Sequence, residues 1–126
     1  MYPKHGEDGA VVRVVNCRSG AILGDRVTLA VGVGSRLRGL LGRRCLSPGE
    51  GMWLEPCSSI HMFFMRFAID VLFVDSGDTV VRQCVEIRPW RVAAGGLAAR
   101  AALELPVGVI ERSETRVGDR LAIEVP

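Results

Sequence analysis

The chain predicts a mainly β (α+β) domain, a small barrel-like fold of about seven or eight short strands with one or two short peripheral helices. Three observations carry this expectation. Short apolar runs rich in valine, leucine and isoleucine recur along the chain, separated by turns bearing glycine, aspartate, asparagine or serine. Several of those runs alternate apolar and polar residues with a period of two. Only one segment spaces its leucines as a helix does.

Taken in order, "AVVRVVN" (10–16) is valine-rich and reads as a strand. "NCRSGAILGD" reads as a turn, a short strand and a second turn. In "RVTLAVGV" (26–33), Val27, Leu29, Val31 and Val33 share one face of a half-buried strand. The period then changes. "SRLRGLLGRR" opens on Ser35, a good N-cap, and spaces Leu37, Leu40 and Leu41 along one helical stripe. Gly42 suits a left-handed cap, so a two-turn helix is expected over 35–42, bearing arginines mostly off its apolar stripe. "MWLEP" (52–56) is a short strand ended by Pro56. The aromatic, β-rich "IHMFFMRF" favours extended chain, and "IDVLFVD" (69–75) is apolar on both parities, the mark of a strand covered on both faces. "DSGD" (75–78) turns the chain into "TVVRQCVEI" (79–87), which Pro89 terminates. "ARAALELP" (99–106) and "GDRLAIEV" (118–125) are further strands, and "ERSET" between them is one helical turn.

A length of 126 residues fits one domain with its own core, assigned to residues 10–126 behind a polar tail, 1–9. The tail lacks the apolar region of a secretory signal, and no apolar run reaches the roughly 18 residues that span a bilayer. The reading is therefore a cytoplasmic chain with no membrane partner. A net charge of +2 is too small to argue for nucleic acid. Lys4 is the only lysine among sixteen basic residues. Arginine's planar fork suits anions, and arginine codons also suit a GC-rich genome. Cys17, Cys45, Cys57 and Cys84 form no C-x-x-C pair, so free and mostly buried thiols are expected.

The segment richest in chemistry is "CSSIHMFFMRFAID" (57–70). Cys57, His61 and Met65 are spaced four apart, which aligns them on one face of either a helix or a strand. In a strand the trio would span about 26 Å, too far for one ion, and the only other histidine is His5. No metal site and no cofactor is expected. Cys57 could be a nucleophile with His61 as its base and Asp70 orienting the ring, if the three converge. A broader reading is ligand binding, with His61, Arg66, Asp70, Arg82, Trp90 and Glu104 as candidate contacts. The structural alternative makes the same segment a core strand, with Asp70 tied to turn N–H groups or to Arg66 or Arg82.

"RLRGLLGR" (36–43), "GEGMWLEPCSSIHMFFMRFAIDVLFVD" (49–75), "RPWR" (88–91), "LELPVG" (103–108) and "VGDRLAI" (117–123) together resemble domain of unknown function family 192. The resemblance covers roughly residues 25–123 and implies a small, mainly β prokaryotic domain. Met62 stands where that family usually has threonine, and Ala68 where it has proline, so a ligand contact through the threonine hydroxyl would be missing here. The resemblance supplies no activity. The functional expectation is a non-catalytic domain binding a small ligand or a protein partner. The alternatives are a small hydrolase or thiol enzyme at Cys57 and His61, and an interaction module using helix 35–42.

Overall fold

The computed structural model describes residues 4–125. In chain order the elements are β1 (Val11–Asn16), β2 (Ile22–Ala30), α1 (Val33–Arg38), β3 (Glu50–Leu54), β4 (Ser59–His61), β5 (Ile69–Val74), β6 (Val80–Ile87), β7 (Val92–Ala94), β8 (Ala101–Leu105), α2 (Val109–Ser113) and β9 (Leu121–Glu124). Seven strands form one curled sheet in the order β6-β5-β8-β3-β2-β1-β9, and β4 pairs with β7 in a separate ribbon. Neighbours are antiparallel except β2 and β3, whose parallel pairing needs a crossover, which α1 and the segment after it provide. The two edge strands meet at one end. Thr79 bridges Arg120, Val80 N–H donates to the Asp119 carbonyl, and Leu121 N–H donates to the Asp78 carbonyl. The sheet is thus a half-barrel that protects part of its own edges. No described helix is long and apolar enough to cross a membrane.

Every residue of β5 and β8 is buried, which explains runs apolar on both parities. Leu72, Val74, Leu103 and Leu105 face into the curl, packing with Val27, Leu29, Trp53 and the α2 residues Val109 and Ile110. Val71, Phe73 and Ala102 face out, where Leu40, Ile60, Met62 and Met65 cover them. This outer cover is mostly irregular chain. It lies close: a Cβ at Gly95 would come within 2.5 Å of the Phe73 ring, so only glycine allows that approach.

The structure departs from the sequence expectation in several places. Residues 62–68 are turns, and only Ser59–His61 of that apolar stretch is a strand. Its apolar side chains point at the sheet from a loop, a burial pattern that strand propensity cannot distinguish from a ladder. The expected short strand near 22 and the strand at 26–33 are one strand, β2, with register shifts opposite Val14. Helix α1 starts two residues early and is shorter than 35–42. Gly32 is its N-cap and Gly39, with φ 48°, its end, while Leu40 packs from the following turn. The side chains of Leu37 and Arg38 lie outside the described set. Ser35 hydrogen-bonds Asp8 instead of capping, and Asp8 also accepts the N–H groups of Val31 and Gly32. His5 sits edge-on against Trp53 and 3.1 Å from Asp78, so residues 4–9 lie on the domain despite their polar composition. The cysteines are free, and Cys17 and Cys45 are exposed.

Asp70 is fully buried at the start of β5. Among the described residues no arginine reaches it. One oxygen accepts the Glu86 N–H at 2.9 Å, and the other accepts the N–H groups of Gly108 and Ile110, both at 3.1 Å. Glu86 sits at a register shift of β6 with φ 51°, and Gly108 caps α2. One carboxylate therefore ties a bulged strand to a helix entrance. Asp70→Ala leaves three N–H groups without their acceptor, and a loss of about 2–4 kcal/mol is expected. Urea denaturation measures it; an unchanged midpoint would remove Asp70 from the framework.

Candidate functional site

A cavity of about 300 Å³ opens on the outer face of the sheet. Val33, Arg36, Leu40 and Leu41 form one wall, Leu54, Pro56 and Cys57 a second, and Ile60, His61, Met62 and Met65 a third. Glu104 is the acid in its lining. The size lies at the lower end of the range for small-molecule sites.

Glu104 reaches the cavity because β8 alternates. Leu103 and Leu105 point into the curl, so Glu104 points out with Ala102. Its cross-strand neighbours are Val71 on β5 and Met52 on β3, neither of which offers a side-chain donor. The residue is 7% exposed, and its Oε1 has no hydrogen-bond partner among the described residues. Burial alone pushes its pKa up to about 7. Arg36 lines the same cavity. Its Nη1 donates to the Pro56 carbonyl at 3.1 Å, and its buried Nε has no partner among the described residues. The cavity thus holds an unmet carboxyl acceptor and an unmet guanidinium donor between apolar walls.

Cys57 and His61 line this same cavity, and a polar atom of each is engaged with the backbone. The thiol donates to the Ser59 carbonyl at 3.1 Å. Burial pushes it up, Glu104 adds to that, and the Ser59 contact and Arg36 only partly offset it, so it is a neutral thiol near pH 7. His61 Nδ1 accepts the Phe63 N–H at 3.3 Å, and its ring stacks on Phe63 at 4.8 Å. Asp70 points to the other face of the sheet, into the contacts given above.

Of the other candidates, Arg82 donates to the Ala94 carbonyl at 2.6 Å, holding β6 to β7. Arg66 is exposed outside the cavity lining. Trp90 stands exposed on the turn before β7 and packs 4.8 Å from Phe64. The structure therefore gathers Cys57, His61 and Glu104 and leaves Arg66, Asp70, Arg82 and Trp90 elsewhere. Arg36, Met62 and Met65 complete the site. Arg36 is one arginine among many in its segment, and nothing in its spacing marks it as the one that turns inward. Among the described residues no group of three histidine, cysteine, aspartate or glutamate side chains is placed to hold a metal ion.

Fold and cavity together define a small half-barrel β domain with one mixed apolar and ionisable recess on its outer face. The chain belongs to domain of unknown function family 192, described as "Uncharacterized ACR, COG1430", whose model matches residues 14–123. A UPF0127 protein of Thermococcus sibiricus is 35% identical over 120 residues, covering 89% of this chain and 75% of that protein. A UPF0127 protein of Pyrococcus abyssi is 42% identical over 64 residues, 51% of this chain and 54% of that one, so the match spans about half of that relative. Two crystal structures share the fold. A protein of unknown function from Novosphingobium aromaticivorans superposes with TM-score 0.78 at 23% identity, covering 97% of this chain and 90% of that one. A Sinorhizobium meliloti protein, provisionally described as a transcription regulator, gives 0.80 at 28% identity, covering 94% and 98%.

The raised Glu104 value has a sign that stability measurements can test. The folded chain keeps a proton that the unfolded chain releases, so stability falls as pH rises from about 4.5 to about 7 and is level above that. The expected loss is about 3 kcal/mol. Glu104→Gln should flatten that interval and be the more stable protein at pH 8. Denaturant titrations at a series of pH values check this; parallel profiles for the two proteins would refute it.

Proposed function

We propose that this domain is a non-catalytic binding module that takes a small, largely apolar ligand into the cavity beside Glu104. The single observation behind the proposal is the pair of buried, unmet polar atoms, Glu104 Oε1 and Arg36 Nε, lining one recess. A buried polar atom without a partner costs on the order of 1–3 kcal/mol, and a ligand that supplies the partner recovers it. Glu104 asks for a donor and Arg36 for an acceptor. A neutral group that can donate or accept, such as a primary amide or a hydroxyl, can satisfy either of them. The walls of Leu40, Leu54, Ile60, Met62 and Met65 match an aliphatic body.

Enzymatic use of Cys57 and His61 finds less support, since the thiol is neutral and turned to a backbone carbonyl. The arginine-bearing helix finds a different use, because Arg36 is a wall of the cavity. The provisional description of the Sinorhizobium protein raises a regulatory role. Sensing a ligand agrees with that, whereas the two described helices, of six and five residues, do not form a helix-turn-helix reader.

Thermal denaturation with butyramide, n-butanol, butyrate and n-butylamine tests the ligand class. The amide and the alcohol should raise the melting temperature, and the two charged compounds should raise it less. Glu104→Leu should abolish the effect. Equal shifts in the wild type and in Glu104→Leu would sink the proposal.

A further inference from the structure

Near the cavity mouth the chain makes two tight turns that use the wrong residue at the same position. Arg88–Arg91 closes through the Arg91 N–H and the Arg88 carbonyl at 3.3 Å, with Pro89 second and Trp90 third. Trp90 has φ 72°, the left-handed conformation that this turn normally gives to glycine. Met62–Met65 closes in the same way at 3.3 Å, and its third residue, Phe64, has φ 66°. Bulky side chains in this region are strained, and such strain gathers at functional positions. The rings it supports are not in the core. Phe64 is 72% and Trp90 59% exposed, and they pack on each other, Trp90 also on Phe63, with exposed Val92 next along the chain. Hydrogen bonds between Met62 and both Trp90 and Arg91 lock the two turns side by side.

Arg66, Arg88 and Arg91 surround this aromatic tip in the chain, all exposed and without an acceptor among the described residues. Glu86, exposed on β6, is the nearest acid in sequence to Arg88. We infer that the Phe64–Trp90 tip inserts into the interface of an anionic lipid surface, with Arg66, Arg88 and Arg91 on the headgroups. Exposed tryptophan and phenylalanine flanked in the chain by exposed arginines suit the boundary between headgroups and acyl chains. Other occupants fit less well. Four side chains on turn tips fall far short of the about 800 Å² that each partner gives a stable protein interface. The Phe64 and Trp90 rings are tilted 60° to each other, not parallel shelves for bases, and a net charge of +2 offers no track for a phosphate backbone. The mode is peripheral and independent of the cavity ligand.

Trp53 is fully buried, so a change in tryptophan emission on binding reports Trp90. The full chain should sediment with vesicles containing phosphatidylglycerol, with a blue-shifted emission, and not with phosphatidylcholine vesicles. Salt should weaken the binding, and Arg88→Gln should lower it about fivefold. Trp90→Gly separates function from packing. It removes the strain, so it should raise the melting temperature while reducing vesicle binding at least tenfold. A failure to sediment with the anionic vesicles, or a Trp90→Gly protein that binds like the wild type, would overturn the inference. So would a Trp90→Gly protein that melts lower, or emission that responds to a single-stranded oligonucleotide and not to vesicles.

Discussion

Burial of β5 and β8 on both faces is the constraint on which the rest of this molecule depends. A strand in the middle of a sheet is covered on one side by the curl of the sheet itself. The other side must be covered by something else, and neither of the two described helices, of six and five residues, is long enough to do it. The chain instead lays the β4–β7 ribbon, the turns of 62–68 and the segment after α1 across that face. Irregular chain packs less completely than a helix, and the recess beside Glu104 is where the cover stays open.

Three buried acids show how differently one fold treats the same chemistry. Asp70 receives three backbone N–H groups and binds elements far apart in sequence. Asp119 receives Arg18, Asn16 and the Arg116 N–H, and these hold its carboxyl well below the usual carboxylate range. It closes the end of the half-barrel where β6 and β9 meet. Glu104 has no such company among the described residues, and its pKa moves the opposite way. Two of the three are spent on architecture. The third is desolvated beside a cavity without a structural partner, the kind of polar group that functional sites retain.

The cavity and the aromatic tip share the same short stretch of chain. Ile60, His61, Met62 and Met65 wall the recess, while Phe63 and Phe64, between them in sequence, project outward. His61 links the two, lining the cavity and stacking on Phe63. A segment with an apolar residue at nearly every position can serve both sides only by abandoning the strand, because a ladder would place alternate residues on opposite faces in fixed order. The turns at 62–65 and 88–91 are the physical means of doing so.

The sequence by itself determined the elements whose signal is local. The two-sided burial of 69–75, the hairpin across 75–78, the alternation of β9 and the position of a short helix near 35 all follow from residue spacing, and several residues of the family-like segments line the cavity. Cys57, His61 and Glu104 were legible as candidates because polar side chains in apolar runs stand out. Only the tertiary structure decided which of them meet. Asp70 looked as available as Glu104 in sequence, yet it faces the other side of the sheet because it lies opposite Leu105 and not Glu104 in the β5–β8 register. Arg36 lines the cavity because the chain packs α1 beside the segment that carries Pro56, whose carbonyl Arg36 reaches. The exposed rings of Phe64 and Trp90 depend on backbone angles that no residue preference would assign to them. Register, helix phase and strained turns are set by contacts between segments distant in the chain, and local sequence does not encode those.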